Sequence, residues 1–215
     1  MRLSSLLSKL LLLCLSLGVV GILVATFAFI TAYPQLPPVT ALTDYSPKLP
    51  LRIYSREGIL IGEFGQENRE FIGIESVPSL LKNAIIASED EHFLEHHGID
   101  FYGIGRAAIA NLSARGARQG ASTITMQVAR NFFLSSEKTF TRKFNEALLA
   151  IKIERHLTKD QILELYINQI YLGQRAFGFA AASKVYFGKT LSQASLAEIS
   201  MLSGLPKAPS KYNPV

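Results

Sequence analysis

The chain has 215 residues, 48% of them hydrophobic, which is enough for one good-sized domain and a short appendage. Its formal net charge of +5 falls to +3 without Arg2 and Lys9, since 20 basic and 17 acidic residues then remain. A charge this mild gives no argument for nucleic-acid binding and suits anionic lipid headgroups or phosphorylated lipids better.

The first predicted element is a membrane-spanning signal-anchor helix over residues 10–33. These 24 residues carry no charge. At about 1.5 Å per residue their helix is about 36 Å long, more than the roughly 30 Å hydrocarbon core of a bilayer. A cleaved signal peptide is the alternative, but its apolar region would be shorter, about 7–15 residues. Arg2 and Lys9 precede the span, which predicts a cytoplasmic tail at residues 1–9 and export of the remainder.

Residues 34–69 are predicted to form a tether and then a β-hairpin. Five prolines lie between residues 34 and 50, a composition typical of an extended segment. Apolar alternation over residues 51–54 and 59–64, on either side of a turn that contains Gly58, favours the hairpin. The only cysteine, Cys14, lies inside the apolar span, so the exported part has no internal disulfide and depends on its core for stability.

The remaining residues, 70–215, show mainly helical patterns. Capping boxes at Thr158 and Ser195 mark two helix starts, and Gly204 with Pro206 marks a helix end. The predicted helical segments are 80–88, 140–155, 158–173 and 195–204. The sequence therefore predicts a mainly α domain joined to one membrane helix.

The densest group of ionisable residues lies at 89–98, which hold four carboxylates and three of the four histidines. His92, Glu95 and His96 match the inverted zinc-protease pattern H-x-x-E-H, and on a helix the two histidines would share a face. The favoured alternative is that the histidines satisfy hydrogen bonds at a helix end near Gly98. Glu89 follows a buried apolar stripe, and partial burial of a carboxyl group suits a general base. A surface or capping role is its alternative.

A polar stripe follows Gly120. Thr123, Gln127 and Arg130 recur at i, i+4 and i+7, which gives the predicted helix one polar, cationic face. Such a face suits a phosphate or sugar ligand, and an ordinary solvated face is the alternative.

A second cationic stretch precedes Glu146 at the start of the helix predicted over 140–155. Its cations are Lys138, Arg142 and Lys143. Arg142 and Glu146 are four residues apart, so they either pair on the surface or bring a cation and a second carboxylate to a reacting centre that contains phosphate.

Together these stretches resemble the peptidoglycan glycosyltransferase domain of family 51, which occurs in class A penicillin-binding proteins and monofunctional transglycosylases. The first family motif, E-D-x-x-F-x-x-H-x-G, is matched by Glu89, Asp90, Phe93, His96 and Gly98. The second, G-x-S-T-I-T-Q-Q, is matched by Gly120, Ser122, Thr123, Ile124, Thr125 and Gln127, with Met126 in place of the first glutamine. The third, R-K-x-x-E, is matched by Arg142, Lys143 and Glu146. The fourth, I-L-E-x-Y-x-N and a later glycine, is matched by Ile162, Leu163, Glu164, Tyr166, Asn168 and Gly173.

The resemblance implies a lysozyme-like α fold that polymerises lipid II into glycan strands, with inversion and release of undecaprenyl pyrophosphate. Glu89 would be the general base that deprotonates the sugar 4-hydroxyl. The reaction is the relative of an inverting glycosidase, with an alcohol in place of water. Glu146 would act as a second catalytic carboxylate that orients the acceptor or holds a divalent cation (Mg or Mn).

By motif position, the resemblance also assigns binding and supporting residues. The substrate-binding residues would be Ser122, Thr123, Gln127, Arg130, Lys138, Arg142 and Lys143. The supporting residues would be Asp90, Phe93, His96, Gly98 and Asn168, of which Asp90 and His96 brace the loop around Glu89. No organic cofactor is implied.

The resemblance further implies a single-pass protein of the bacterial inner membrane, with its N-terminus in the cytoplasm and its catalytic domain on the periplasmic face. Its partners would be lipid II, the growing glycan strand, membrane lipid and other cell-wall synthesis proteins, with no nucleic acid. An apolar patch between the hairpin and the first helices is expected to dip into the bilayer.

Two further expectations concern extent and alternatives. Lys189–Leu191 lacks the glycine of a transpeptidase K-T-G element, so we expect this sequence to lack a transpeptidase domain and to be cut from a longer protein. The alternatives are a lysozyme-like lytic glycan hydrolase, which would need neither the anchor nor the cations Lys138 and Arg142, and a non-catalytic truncated scaffold.

Overall fold

A computed structural model describes residues 2–43, 51–65, 67–113, 120–134 and 139–214. The chain divides into two compact units, Met1–Pro37 and Pro38–Val215, and each has its own architecture. In the described residues helices dominate both units, which confirms the predicted mainly α class.

The first unit is a single long helix, α1 (Arg2–Ala32), followed by a 3₁₀ turn at Tyr33–Gln35. Residues Leu11–Gln35 have a mean hydropathy of 2.6, so this segment is long and apolar enough to cross a membrane by length and composition. Most of its described large apolar side chains lie exposed, Phe27 by 70%. Because such a surface is unfavourable in water, it suits a lipid environment, as the sequence predicts.

The second unit begins with the short helix α2 (Thr40–Thr43). Val39 and Leu42, three residues apart, are buried. The prediction of an extended tether is therefore wrong over this stretch, because two apolar residues at helical spacing outweigh the bias of the neighbouring prolines. Residues 44–50 lie outside the described residues.

The predicted hairpin is confirmed. Strands β1 (Leu51–Tyr54) and β2 (Leu60–Phe64) pair antiparallel, with Leu51 opposite Phe64. Gly58 has a φ of +82°, which the turn between the strands requires and which glycine adopts without strain. The described apolar side chains of the hairpin lie largely exposed, among them Ile61 and Phe64.

Eight helices follow in the described part of the second unit. They are α3 (Ser79–Glu89), α4 (Phe101–Ser113), α5 (Ile124–Phe133), α6 (Phe140–Glu154), α7 (Lys159–Gln169), α8 (Phe179–Phe187), α9 (Leu196–Gly204) and α10 (Pro209–Tyr212). Both predicted capping boxes form, at Thr158 with Gln161 and at Ser195 with Glu198. The cap side chains accept hydrogen bonds from backbone N–H groups that have no partner within the first helical turn. The starts of these two helices are therefore determined by residues a few positions apart.

Helix α5 lies at the centre of the helical core. It packs against both α6 and α7, and every residue from Ile124 to Ala129 is buried. The alternative of a solvated polar face is therefore wrong, because Thr123 and Gln127 are only 2% and 8% exposed. The polar stripe instead points into the protein.

Two sets of contacts, together called the clamp, join the segment before α3 to the end of α7 and to the strand that follows it. The sequence patterns did not predict them. Strand β3 (Asn68–Arg69) pairs in parallel with β4 (Ala176–Phe177). Asn168 Oδ1 accepts from the Ile72 backbone N–H, and its Nδ2 donates to the Ile72 carbonyl, both at 2.9 Å. The same Nδ2 donates to the Glu164 carbonyl at 2.9 Å. These bonds match a supporting role for Asn168.

We expect Asn168→Ala to lower the free energy of unfolding by about 2–4 kcal/mol, because it leaves the part-buried backbone N–H and carbonyl of Ile72 without their hydrogen-bond partner. Chemical denaturation followed by circular dichroism measures this change. The matched control is Asn83→Ala at an exposed position of α3, which should stay within about 0.5 kcal/mol of the wild type. Equal stability of the two variants would contradict the role of the clamp.

Candidate active site

Glu89 is the last residue of α3, and the chain leaves the helix at Asp90. Its side chain is half-buried, and Oε2 accepts a hydrogen bond of 2.8 Å from Gln127 Nε2 on α5. The prediction placed these two residues in one site from motif order alone. The structure brings them into direct contact across 38 residues of chain.

The buried carboxylate of Asp90 ties the loop at residues 90–98 to the start of α5. Its Oδ2 accepts from the Ile124 backbone N–H at 2.9 Å, and His96 Nε2 lies 3.0 Å from both Asp90 oxygens. His96 Nδ1 accepts from the Gly98 N–H at 3.2 Å, so the imidazole proton resides on Nε2 and points at Asp90. These contacts match the predicted bracing role of Asp90 and His96.

Gly98 closes the loop against α6. Its φ is +94°, and a Cβ there would lie 2.8 Å from the backbone carbon and oxygen of Ala150. Thr123 Oγ1 donates to the Gly98 carbonyl at 2.7 Å and accepts from the Met126 N–H at 3.1 Å as the cap of α5. The structure thus gives Thr123 a structural role, and its contact with a ligand stays a prediction.

Met126 stands where the family motif has glutamine. Its side chain is buried, 4% exposed, on the apolar side of α5. An apolar residue is compatible with that position, which leaves Gln127 as the amide that reaches Glu89.

The geometry does not support the zinc-protease alternative. Residues 91–98 form turns and bends, so His92 and His96 do not share a helix face. His92 Nδ1 instead lies 3.3 Å from Asp100 Oδ2, and its ring packs edge-on against Tyr102. Burial raises the pKa of Asp100, but hydrogen bonds from the Gly103 N–H and from His92 outweigh it and leave that pKa below its usual value. In the described part of the chain no three His, Cys, Asp or Glu residues form a metal-binding group.

A second cluster surrounds Glu146, which is 1% exposed on α6. Lys143 Nζ donates to Glu146 Oε2 at 2.8 Å, and the Arg142 guanidinium donates to Oε1. The surface-pair alternative is therefore wrong, because the carboxylate lies inside the protein. Two cations share one buried carboxylate, so the cluster carries a net positive charge.

Lys143 joins this cluster to the loop before α5. Its Nζ donates to Ser122 Oγ at 2.6 Å, and 44% of the Lys143 side chain stays exposed. Ser122 precedes the cap of α5, and Gln127 lies one turn into that helix. The first turns of α5 therefore connect the Glu89 contact with the cation cluster.

The remaining predicted residues are placed as follows. Phe93 is fully buried, and Arg130 is half-buried in the last turn of α5. Lys138 lies outside the described residues. Both oxygens of Glu146 already accept from cations, so the described residues do not fit a divalent-cation site there, and the ion stays a prediction.

Lys159 is a supporting residue that sequence reasoning missed. Its Nζ donates to the His96 carbonyl and to Glu154 Oε1, each at 2.7 Å, and lies 4.5 Å from the centre of the Phe93 ring. In the sequence Lys159 is an ordinary residue in the first turn of a capped helix. Its partner His96 is 63 residues away, so no local pattern signals the contact.

Comparison with known proteins agrees with the predicted family. The sequence model of the family described as Transglycosylase matches residues 57–215. Penicillin-binding protein 1A of Neisseria cinerea is 57% identical over 203 residues, 94% of this chain and 25% of that protein. Penicillin-binding protein 1A of Escherichia coli (strain K12) is 50% identical over 202 residues, 94% of this chain and 23% of that protein.

The chain thus spans about a quarter of the length of these relatives. A crystal structure of penicillin-binding protein 1A from Haemophilus influenzae matches with 27% sequence identity. The match covers 79% of this chain and 16% of the chain in that structure. Its TM-score of 0.39 is too low to support an argument. The family match contains all four motifs from Glu89 to Gly173, and the chain belongs to the transglycosylase family.

Proposed function

We propose that this chain is a membrane-anchored peptidoglycan glycosyltransferase that polymerises lipid II into glycan strands and releases undecaprenyl pyrophosphate. The observation that carries the proposal is the pairing of two features at the start of α5. A half-buried Glu89 is held by Gln127, and the cation cluster of Arg142 and Lys143 is joined to Ser122. Membership in the transglycosylase family supports the reaction class.

Glu89 has the geometry of a general base. Gln127 occupies Oε2, and Oε1 accepts no hydrogen bond from the described residues. Oε1 takes the proton of the acceptor 4-hydroxyl, and the resulting oxygen attacks the anomeric carbon of the growing strand from the face opposite the leaving group. The proton ends on Glu89, and the configuration at the anomeric carbon inverts.

The cations serve the departing pyrophosphate. Its negative charge grows as the bond to the anomeric carbon breaks, and fixed positive groups stabilise that charge without donating a proton. Lys143 is the best placed of the described cations, because its side chain is partly exposed while its ammonium group is held by Ser122 and Glu146. Arg142 is more deeply buried and sets the position of Glu146.

The apolar surfaces fit a substrate that is carried on a polyprenyl tail. Helix α1 is long and apolar enough to anchor the chain, and an anchored enzyme searches for lipid II in two dimensions. On α4, Phe101, Ile109 and Leu112 are 69–81% exposed, which supports a patch that dips into the bilayer. The proposed topology has the N-terminus in the cytoplasm and the catalytic domain on the periplasmic side, where other cell-wall synthesis proteins are further partners.

A lytic hydrolase would need a second carboxyl group that donates a proton to the leaving sugar oxygen. Glu146 is a poor candidate for that donor, because both of its oxygens accept hydrogen bonds from Arg142 and Lys143. This arrangement favours a leaving group that departs as a stable anion.

We expect Glu89→Gln to lower the rate of glycan polymerisation about 10²- to 10⁴-fold, because an amide cannot take the proton of the acceptor hydroxyl. Labelled lipid II with the purified, detergent-solubilised protein provides the assay, and gel separation of the glycan strands gives the rate. Glu91→Gln is the matched control, since Glu91 lies exposed two residues on and pairs only weakly with Arg106.

Normal polymerisation by Glu89→Gln would show that the base assignment is wrong. Release of fragments from finished glycan by the wild type, without polymer from lipid II, would favour the hydrolase. A folded wild type with neither activity would favour the scaffold.

We expect Lys143→Gln to lower kcat/KM for lipid II about 10²-fold, because the developing pyrophosphate charge loses a fixed cation. Initial rates with labelled lipid II measure the effect, and thermal melting checks that the variant is folded. Lys152→Gln, near the other end of α6, is the control and should keep near-wild-type activity. Equal rates for the two variants would exclude Lys143 from the site.

The proposed topology predicts a labelling pattern in bacterial spheroplasts. In a Cys14→Ser background, a membrane-impermeant maleimide should label Ala197→Cys in intact spheroplasts and Ser8→Cys only after permeabilisation. Both positions are exposed, Ala197 on α9 and Ser8 on α1. The reverse pattern would place the helical domain in the cytoplasm and contradict the orientation.

A further inference from the structure

Tyr166 carries a buried hydroxyl that the described structure leaves unsatisfied. The residue is fully buried on α7, with its ring against Phe179 at 6.4 Å between centroids. Its Oη has no hydrogen-bond partner among the described residues. Phenylalanine would fill the same apolar space without that cost, so the hydroxyl calls for a function.

The residues around Tyr166 indicate which group its hydroxyl can act on. Helix α7 packs against α5, the helix that carries Gln127 and Arg130. Burial raises the pKa of Tyr166 well above its usual value near 10, and the charge of Glu89 adds to this effect while Arg130 opposes it. The phenol is therefore a neutral donor across the physiological range, within electrostatic reach of the carboxylate of Glu89.

We propose that Tyr166 is a positioning residue for Glu89, whose carboxylate receives the phenol hydrogen bond when the acceptor sugar is bound. The inference rests on the proposed role of Glu89 as the base. Gln127 alone fixes one oxygen and leaves the carboxylate free to turn about that contact. A second donor sets its orientation, so that Oε1 presents a lone pair to the acceptor hydroxyl.

The absence of a partner for this hydroxyl among the described residues fits this role. Catalytic hydrogen bonds are often long or unformed without substrate and tighten in the complex. The phenol of Tyr166 then donates to Glu89 only once the acceptor sugar is bound.

The other described charged groups on the elements around this pair are either hydrogen-bonded within the protein or exposed, and Arg130 is the half-buried exception. On α9, which packs against α3, the only charged residue is Glu198, and it is bound to Lys189 and Ser195. On α7, Glu164 accepts from the Ile74 N–H, Lys159 donates to Glu154, and Asp160 lies exposed. The groups on the other packed elements are Lys82, bonded to the Ile74 carbonyl, Lys184, bonded to Glu70, Tyr186, bonded to the Leu172 carbonyl, and the exposed Glu75.

The test compares Tyr166→Phe with Tyr186→Phe in pH profiles of polymerisation from labelled lipid II. Tyr186 makes the matched control, because its hydroxyl is also partly buried but donates at 2.7 Å to the Leu172 carbonyl, which lies between α7 and β4. Each variant loses one hydroxyl and keeps its ring. Profiles of kcat and of kcat/KM from about pH 5 to 9, together with melting temperatures, separate the roles.

In Tyr166→Phe the acid limb of the kcat profile should move about one pH unit higher, because losing a donor favours the protonated base in the complex. The rate on that limb then falls about tenfold, and the limb of kcat/KM, which reports the free enzyme, moves less. The melting temperature should rise by about 2–4 °C, since an unpaired buried hydroxyl is removed. Tyr186→Phe should lower the melting temperature and leave both limbs in place.

If the acid limb of the kcat profile of Tyr166→Phe is unchanged, the inference is wrong. This holds whether the variant keeps its activity or loses the same fraction of it at every pH. A melting temperature that falls together with an unmoved limb would show that the hydroxyl is only structural. If the wild type makes no polymer at any pH, the proposed function itself fails, and this inference fails with it.

Discussion

The arrangement of this site depends on the hydrogen bonds that the carboxylate of Asp90 accepts. It is 6% exposed and accepts from the Ile124 N–H at the start of α5 as well as from His96. Backbone N–H groups in the first turn of a helix have no intrahelical partner, and a negative group there also favours the helix dipole. One side chain thus fixes where α3 ends relative to where α5 begins. Because Glu89 directly precedes Asp90, the same bond sets the distance between Glu89 and Gln127.

The cation cluster obeys a related constraint. A buried carboxylate is costly unless it is paired and hydrogen-bonded, and Glu146 has both conditions met by neighbours on its own helix. Arg142 and Lys143 lie one turn before it, so α6 alone builds the cluster once Thr139 has capped its start. The two cations and one carboxylate leave one surplus positive charge in this cluster. It suits a ligand that brings negative charge, which ties the local sequence to the chemistry of the site.

Local signals in the sequence predicted most of the fold, and longer-range contacts lay beyond them. The capping boxes at Thr158 and Ser195 and the turn at Gly58 involve residues within a few positions, so their patterns could be read directly. The contact between Asn168 and Ile72 spans 96 residues, and the parallel pairing of β3 with β4 involves two residues in each strand. Neither contact produces a periodic pattern in the sequence. The tether was mispredicted because prolines masked the spacing of Val39 and Leu42.

Glu89 occupies an unfavourable position for a carboxylate, and the supports around it follow from that. It is the last residue of α3, where the helix presents its unpaired carbonyls and the negative end of its dipole, a placement that costs about 0.3–1 kcal/mol. The amide of Gln127 offsets this with one donor, and in the proposed substrate complex the phenol of Tyr166 is the second. Gly98, at a φ of +94°, and the charge of Lys159 hold the loop that follows. A residue needed only for stability would sit better elsewhere, so this placement is consistent with the proposed role of Glu89 as the base.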